Sequence, residues 1–242
     1  MFVHYRTQGL IIKEEDKGES NQLFTIYTKD FGKLEILGKA IRKITSKLRA
    51  GADIFYLSEI ELIQAKTHKT LTDAILIEKF ENIRKSLRRL EICNQIAKVL
   101  DRFIRGQEPD ERVWRLLTET FHKLNARYKT PNMVYRIYYF FLWNLISILG
   151  YKPDFYHCSL CQKGLLPEKN YFNLLEGGVI CYKCSRGLAD KTEASPEVIK
   201  ILRIILKKDW NTFLKLKIDS FCQKSLKDIS RDCLNYILSE NE

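Results

Sequence analysis

Four cysteines in the second half of the chain have the spacing of a metal site. Two Cys-x-x-Cys pairs are separated by nineteen residues, and their members are Cys158, Cys161, Cys181 and Cys184. Each pair can lie on a tight turn that points both sulfur atoms the same way, so two pairs can surround a tetrahedral zinc ion. Four thiolate ligands leave no open position for an activated water. The spacing therefore predicts one structural Zn2+ with no catalytic role.

The turns around these cysteines are expected to use glycine. Gly164 follows the first pair and Gly187 follows the second, and turns of this kind need positive φ angles that glycine adopts without strain. Gly177 and Gly178, just before the second pair, predict a hairpin corner. His157, next to the first pair, is a substitute ligand that the spacing disfavours.

Two other interpretations of the four cysteines stay open. They could form two disulfides, although the chain has seven cysteines, an odd number, and shows no charged-then-apolar leader toward an oxidising compartment. They could also be the remnant of a site that no longer holds metal. Without a leader, we expect the protein in the cytoplasm.

A run of cations near the N-terminus could bind phosphate. We call residues 38–49 the basic loop; it contains no acidic residue, and its cations are Lys39, Arg42, Lys43, Lys47 and Arg49. Repulsion among these cations destabilises the loop unless a polyanion relieves it, so the pattern predicts contact with a nucleic-acid backbone. A solvated loop with incidental charge is the alternative. Six nearby aromatic residues are candidates for base stacking, although we expect at most two to face a nucleic-acid strand: Tyr5, Phe24, Tyr27, Phe31, Phe55 and Tyr56.

A second group of cations lies on a predicted helix. Arg84 and Arg88 are four residues apart, and so are Lys85 and Arg89. Like charges at this spacing destabilise a helix slightly, and a bound polyanion would remove that cost. The group is a further candidate for DNA contact, with a solvated helix face as the alternative.

The elements that carry these residues change type along the chain. Residues 1–80 contain five runs of β-branched and aromatic residues, which predict strands at about 3–13, 21–28, 33–40, 54–63 and 71–77. A charged turn is expected at residues 14–18. Five short strands fit a small Greek-key barrel of the OB type, and an SH3-like barrel fits the same pattern.

Beyond the strands, the hydrophobic period becomes helical. Helices are predicted at about 80–105, 110–127, 130–149, from 195 onward, and at 219–238. The cysteine pairs fall between helices. The sequence therefore predicts an α+β multidomain protein: an OB-fold barrel at residues 1–80, an α-helical domain at 81–156 and 191–242, and a zinc-finger module inserted at 157–190.

Composition favours an anionic partner and gives no sign of a membrane segment. The formal net charge is +11 and the sequence pI is about 9.2, which suits binding to a polyanion or simply a soluble surface. No stretch reaches the roughly 20 apolar residues that a membrane span needs. Motifs for nucleotide hydrolysis, deamination or two-metal chemistry are missing, so we expect a binding protein and not an enzyme. A metal-dependent nuclease or deaminase is the alternative, which an assay with labelled strands would test.

The order of elements resembles the RecO family of bacterial recombination mediators. The resemblance rests on a small barrel, a basic loop, a helical bundle and an embedded four-cysteine module, in that order. Segments similar to the family pattern are YRTQGLI at residues 5–11, GES at 18–20, FGK at 31–33, GKAIRK at 38–43, SKLR at 46–49, GYKPD at 150–154 and GGVIC at 177–181.

This resemblance implies a function in DNA repair and recombination. It implies binding to single- and double-stranded DNA without base readout, and annealing of complementary strands. It also implies partnership with RecR and with the acidic C-terminal tail of single-stranded DNA-binding protein (SSB), so that RecA is loaded onto SSB-coated DNA. Such a protein would be cytoplasmic and nucleoid-associated. The alternative function is that of a zinc-containing OB-fold RNA-binding factor.

Overall fold

The chain forms two compact units, Met1–Val134 and Tyr135–Glu242. They are seen in a computed structural model that describes residues 3–64, 68–128, 130, 132–151, 153–173, 175–189 and 191–239. The first unit holds a barrel and three helices, and the second holds the four cysteines among further helices. Within the described ranges, no helix combines the length and the apolar character that crossing a bilayer requires.

Five strands close the barrel of the first unit. They are β1 Val3–Lys17, β2 Asn21–Thr28, β3 Gly32–Gly38, β4 Leu57–Gln64 and β5 Lys69–Glu78. The order around the barrel is β1-β2-β3-β5-β4, with β4 returning to β1. The β3–β5 pair is parallel and the other pairs are antiparallel. The predicted OB-type barrel is confirmed, and β2 has the predicted bounds.

The first hairpin extends further than the sequence indicates. Residues 14–17, predicted as a charged turn, continue β1 and pair with β2 as far as Lys17 opposite Asn21. The turn itself spans residues 18–20, where Gly18 has a φ of 71°. The prediction is wrong for residues 14–17, because cross-strand hydrogen bonds outweigh the weak strand preference of acidic side chains.

Alternate apolar side chains fill the barrel. In β3, Leu34 and Ile36 are buried while Glu35 between them is exposed, as strict alternation predicts. The buried cluster consists of Ile11, Phe24, Ile26, Leu34, Ile36, Ile41, Ala52, Ile60, Leu62, Leu71 and Ala74. Two of its members, Ile41 and Ala52, come from the connection between β3 and β4 and not from a strand.

Three α-helices complete the first unit. A short 3-10 helix at Lys47–Ala50 precedes them, and they are α1 Glu81–Arg84, α2 Leu87–Phe103 and α3 Glu111–Asn125. The helix predicted over 80–105 is broken between α1 and α2. Phe80, just before α1, has a left-handed φ of 52° and lies 5.6 Å from Phe121 between ring centroids. The helix therefore begins after Phe80, and the extended backbone of Ser86, with φ −136° and ψ 113°, separates α1 from α2.

The second unit surrounds one apolar helix. Its elements are α4 Met133–Ile148, β6 Asn170–Asn173, β7 Gly178–Cys181, β8 Thr192–Ala194, α5 Pro196–Leu206, α6 Trp210–Lys215 and α7 Ser220–Ser239. The three strands form a small sheet in the order β7-β6-β8. Arg136 and Asn144 of α4 are buried and bonded: Arg136 donates to the Phe213 carbonyl at 2.8 Å, and Asn144 donates to the Ile205 carbonyl at 3.1 Å. Sequence patterns did not predict β8 or α6, which are too short to show a period.

Gly51, just beyond the basic loop, lies against β5 where no side chain fits. A Cβ added at Gly51 would overlap the backbone carbonyl oxygen of Ala74. The Gly51 carbonyl also accepts a hydrogen bond from the buried Ser58 hydroxyl at 2.6 Å. The close approach fixes the end of the loop on the barrel wall.

We expect Gly51→Ala to lower the free energy of unfolding by about 1–3 kcal/mol, because the added methyl group forces the backbone to shift. Gly164→Ala is the matched control, since a Cβ at Gly164 meets nothing within 4 Å. Urea denaturation followed by circular dichroism measures both variants. Equal stability of the two would contradict the close contact with Ala74.

Candidate functional site

The four predicted cysteines come together in space. Their sulfur atoms all lie within 4.8 Å of one another, so the group could hold a metal ion. Sulfur atoms around a tetrahedral ion with bonds of about 2.3 Å lie about 3.8 Å apart. The four sulfur atoms would therefore need to move only slightly closer together to bind such an ion. The Sγ atoms of Cys161 and Cys181, from different pairs, are already 4.0 Å apart. All seven cysteines of the chain are free thiols in this structure.

Backbone turns hold each pair in place. The amide of Gln162 donates to the Cys158 carbonyl at 2.9 Å, and the amide of Ser185 donates to the Cys181 carbonyl at 3.1 Å. Gly187 has the expected positive φ, at 84°.

The expectation for Gly164 is wrong, because the left-handed position after the first pair is taken by Gln162, with a φ of 59°. The side-chain amide of Gln162 donates to the Ser159 carbonyl at 3.0 Å, which stabilises that conformation locally. The expected hairpin corner before the second pair is present, since β6 pairs antiparallel with β7 and Gly177, just before β7, has a φ of 76°.

Backbone amides prepare Cys158 to carry negative charge. Burial raises the pKa of its thiol, but hydrogen bonds from the amides of Cys161, Cys181 and Leu160 outweigh that effect and lower the pKa to about 6. The Cys181 nitrogen lies 3.4 Å from the Cys158 sulfur. Hydrogen bonds with the thiols of Cys181 and Cys161 raise the pKa of Cys184 to about 12. Protons would therefore leave the group when a cation binds.

His157 is held away from the cysteine group. Its Nδ1 atom lies 2.9 Å from a carboxylate oxygen of Asp154, and the other oxygen of Asp154 accepts the backbone amides of Tyr156 and His157. Among the described residues, the four cysteines form the metal-competent group without a histidine.

Aromatic contacts attach the cysteine module to the helices of its own unit. Phe155 and Phe172 are buried against Trp143 of α4, with ring centroids 5.5 and 6.1 Å from it. The Trp143 indole donates to Ser230 of α7 at 2.9 Å. Arg203 of α5 makes two hydrogen bonds to the Phe155 carbonyl, at 2.9 and 2.6 Å. The position of the metal-competent group is therefore coupled to the core of the second unit.

The basic loop is anchored in the barrel by apolar residues. Ile41 within the loop and Ala52 just after it are buried in the barrel core, and Leu48 packs against the same cluster. The cations of the loop are all exposed: Lys39, Arg42, Lys43, Lys47 and Arg49. The hydrophobic anchors thus fix the loop backbone and leave its charged side chains accessible.

Arg42 is the loop cation that has an internal counter-charge. Its guanidinium lies 3.0 Å from a carboxylate oxygen of Asp16, near the end of β1. In the described ranges the other four loop cations have no ion pair. Sequence reasoning missed Asp16, because the contact joins residues far apart in the chain and follows from the extension of β1.

The second group of cations is largely engaged within the first unit. Arg84 pairs with Asp53 at 2.6 Å and also donates to the Ile54 carbonyl. Lys85 pairs with Glu81 at 3.2 Å.

The other two members of this group differ in exposure. Arg89 is half-buried and donates to the Leu124 carbonyl at 2.6 Å, whereas Arg88 is exposed. The geometry therefore supports the basic loop more strongly than this helix as a phosphate-binding surface.

Most of the candidate stacking aromatics belong to the core. Phe24, Tyr27 and Phe55 are buried, and so is Tyr56. Tyr5 and Phe31 are half-buried and pack edge to face, with centroids 5.3 Å apart.

Comparison with known proteins places both units in one family. Residues 1–80 match the family model described as Recombination protein O N terminal, and residues 84–241 match Recombination protein O C terminal. The chain belongs to the RecO family. Curated relatives agree with this assignment. The chain is 28% identical over 236 residues to the DNA repair protein RecO of Dehalococcoides mccartyi, and this match covers 98% of the chain and 91% of the relative. It is 26% identical over 238 residues to the DNA repair protein RecO of Acetivibrio thermocellus, covering 98% of this chain and 93% of the relative.

We expect Cys158→Ser to remove bound metal and to lower the melting temperature, because a hydroxyl replaces the buried thiolate that the backbone amides prepare. Cys233→Ser is the control, since Cys233 is a buried thiol on α7 outside the group. Metal content by plasma emission spectroscopy and melting by calorimetry give the two readouts. An unchanged metal content in Cys158→Ser would contradict the assignment of this site.

Proposed function

We propose that this RecO-family chain is a non-enzymatic DNA repair protein that binds single- and double-stranded DNA through its basic loop and anneals complementary strands. The observation that carries the proposal is the loop itself. Ile41, Leu48 and Ala52 anchor its backbone to the barrel, while its five cations face solvent. The names of the relatives, DNA repair protein RecO, support the same function.

Annealing follows from backbone binding without base recognition. Two complementary strands repel one another through their phosphates, and a cationic surface lowers that repulsion. Contacts with phosphate leave the base edges free to pair. The chemistry needs no nucleophile, general base or open metal position, so the proposed role is binding and not turnover.

We propose that Cys158, Cys161, Cys181 and Cys184 hold one structural Zn2+. The observed donor set supports zinc, because four thiolates in a tetrahedral arrangement are characteristic of structural zinc sites. When bound, the ion cross-links the two turns. The chain's own part is to prepare the Cys158 thiolate with backbone amides and to fix the module on α4 through Phe155 and Phe172.

The proposed partners are those that the family implies. We propose that the chain works with RecR and with the acidic C-terminal tail of SSB, and that RecA is loaded onto the SSB-coated DNA as a result. A net charge of +11 suits both the DNA and an acidic peptide. Such a protein would act in the cytoplasm on nucleoid DNA.

We expect the combined change of Arg42, Lys43, Lys47 and Arg49 to Ala to weaken DNA binding and to reduce its salt dependence. Losing four phosphate contacts should reduce the slope of log affinity against log salt by about 3. Fluorescence anisotropy measures both quantities. It uses fluorescently labelled single strands and duplexes at several salt concentrations. A matched control removes four exposed cations elsewhere in the first unit: Lys29, Lys98, Arg102 and Arg115.

The control variant loses the same formal charge, so it reports the effect of net charge alone. The proposal requires the loop variant to lose far more affinity than the control. Equal losses would show that binding follows overall charge and not the loop. A strand-annealing assay on the same variants, with a parallel RNA-binding measurement, separates DNA annealing from the RNA-binding alternative.

A further inference from the structure

The basic loop is tied to the first hairpin at three points. The Arg42 guanidinium pairs with the Asp16 carboxylate at 3.0 Å, and the Arg42 amide donates to the Ser20 carbonyl at 3.1 Å. The Ala40 amide donates to the side-chain oxygen of Asn21 at 2.8 Å. Two of these three contacts fix the loop backbone, so Arg42 is held within reach of the hairpin.

The backbone at Ala40 shows that this arrangement is imposed by its surroundings. Ala40 has a φ of 54°, in the left-handed region that residues with a Cβ rarely adopt. The hydrogen bond to Asn21 and the burial of the neighbouring Ile41 hold it there. The loop therefore presents Arg42 in one direction, toward the end of β1, where the Asp16 carboxylate lies.

The Asp16 carboxylate is itself oriented. One of its oxygens accepts a hydrogen bond from the Gln22 side chain at 3.2 Å, across the β1–β2 pair, and the other faces Arg42. Both members of the ion pair are about half exposed, at 42% for Arg42 and 57% for Asp16. A phosphate can therefore reach the guanidinium, but only in competition with the carboxylate.

We infer that Asp16 is a specificity-determining residue of the loop, which competes with phosphate for Arg42 and so favours polymers over single anions. The inference rests on the proposed function of the loop as the DNA contact. A carboxylate and a phosphodiester offer the guanidinium the same acceptor geometry, so one replaces the other.

The selectivity follows from effective concentration. A polymer held by the neighbouring lysines presents its next phosphate to Arg42 at a high local concentration and displaces Asp16. A mononucleotide has no such second attachment, so the carboxylate excludes it from Arg42. Asp16 thus lowers the affinity for every anion, and it does so most strongly for ligands with one phosphate.

The test is a double-mutant cycle between Asp16→Asn and Arg42→Ala. Asp16→Asn removes the charge and keeps the side-chain shape; we expect it to tighten binding of a single-stranded oligonucleotide by about twofold to fivefold, as the loss of an exposed competing ion pair predicts. In the Arg42→Ala background, Asp16→Asn should raise the affinity for the oligonucleotide no more than the control substitution does. Affinity is measured by fluorescence anisotropy at low salt, and melting temperatures verify that the hairpin is intact.

Glu15→Gln is the control, because Glu15 is the preceding residue of β1, carries the same charge and pairs with Lys13 and not with the loop. Mononucleotide affinity, measured by displacement of a labelled nucleotide, should rise by a larger factor in Asp16→Asn than oligonucleotide affinity does. Equal effects of Asp16→Asn and Glu15→Gln in both backgrounds would overturn the inference while leaving loop binding intact. Loss of the proposed function itself would show differently, as an unchanged affinity of the four-alanine loop variant.

Discussion

Packing of three apolar side chains against the barrel core is the interaction on which the basic loop depends. Ile41, Leu48 and Ala52 lie between or beside the loop cations in sequence, and each contacts the barrel core. Full burial of a side chain such as Ile41 stabilises by about 1.5–3 kcal/mol, which outweighs the mutual repulsion of a few solvated charges. The cations are consequently turned outward, and the loop backbone is fixed closely enough for Gly51 to touch β5 and for Arg42 to meet Asp16.

The segment that carries the four cysteines is stabilised in a different way from the basic loop. In the described part of the segment between α4 and α5 few apolar residues are buried, and Phe155 and Phe172 attach it to Trp143. Short segments of this kind gain stability from a bound ion that replaces a hydrophobic core. The amides around Cys158 already supply hydrogen bonds that a thiolate would accept. The proposed phosphate-binding loop and the four cysteines that could hold a metal ion thus lie in separate units with separate structural requirements.

Features that depend on neighbouring residues were predictable from the sequence, and those that depend on distant contacts were not. The cysteine spacing and the bounds of β2 follow from local pattern. The left-handed backbone of Phe80 before α1 accompanies its packing against Phe121 of α3, and the pair between Arg42 and Asp16 joins the basic loop to the end of β1. Gln162 takes the left-handed position expected of Gly164 because its own side chain can stabilise that turn.

A lysine footprint in the presence of DNA tests most directly whether the basic loop is the DNA contact. Acylation rates of individual lysines are measured by mass spectrometry with and without a saturating single strand. If the loop binds DNA, DNA slows acylation of Lys39, Lys43 and Lys47 several-fold, while the exposed reference residues Lys29 and Lys98 react at unchanged rates. Unchanged rates at the three loop lysines, with protection elsewhere on the chain, would contradict it.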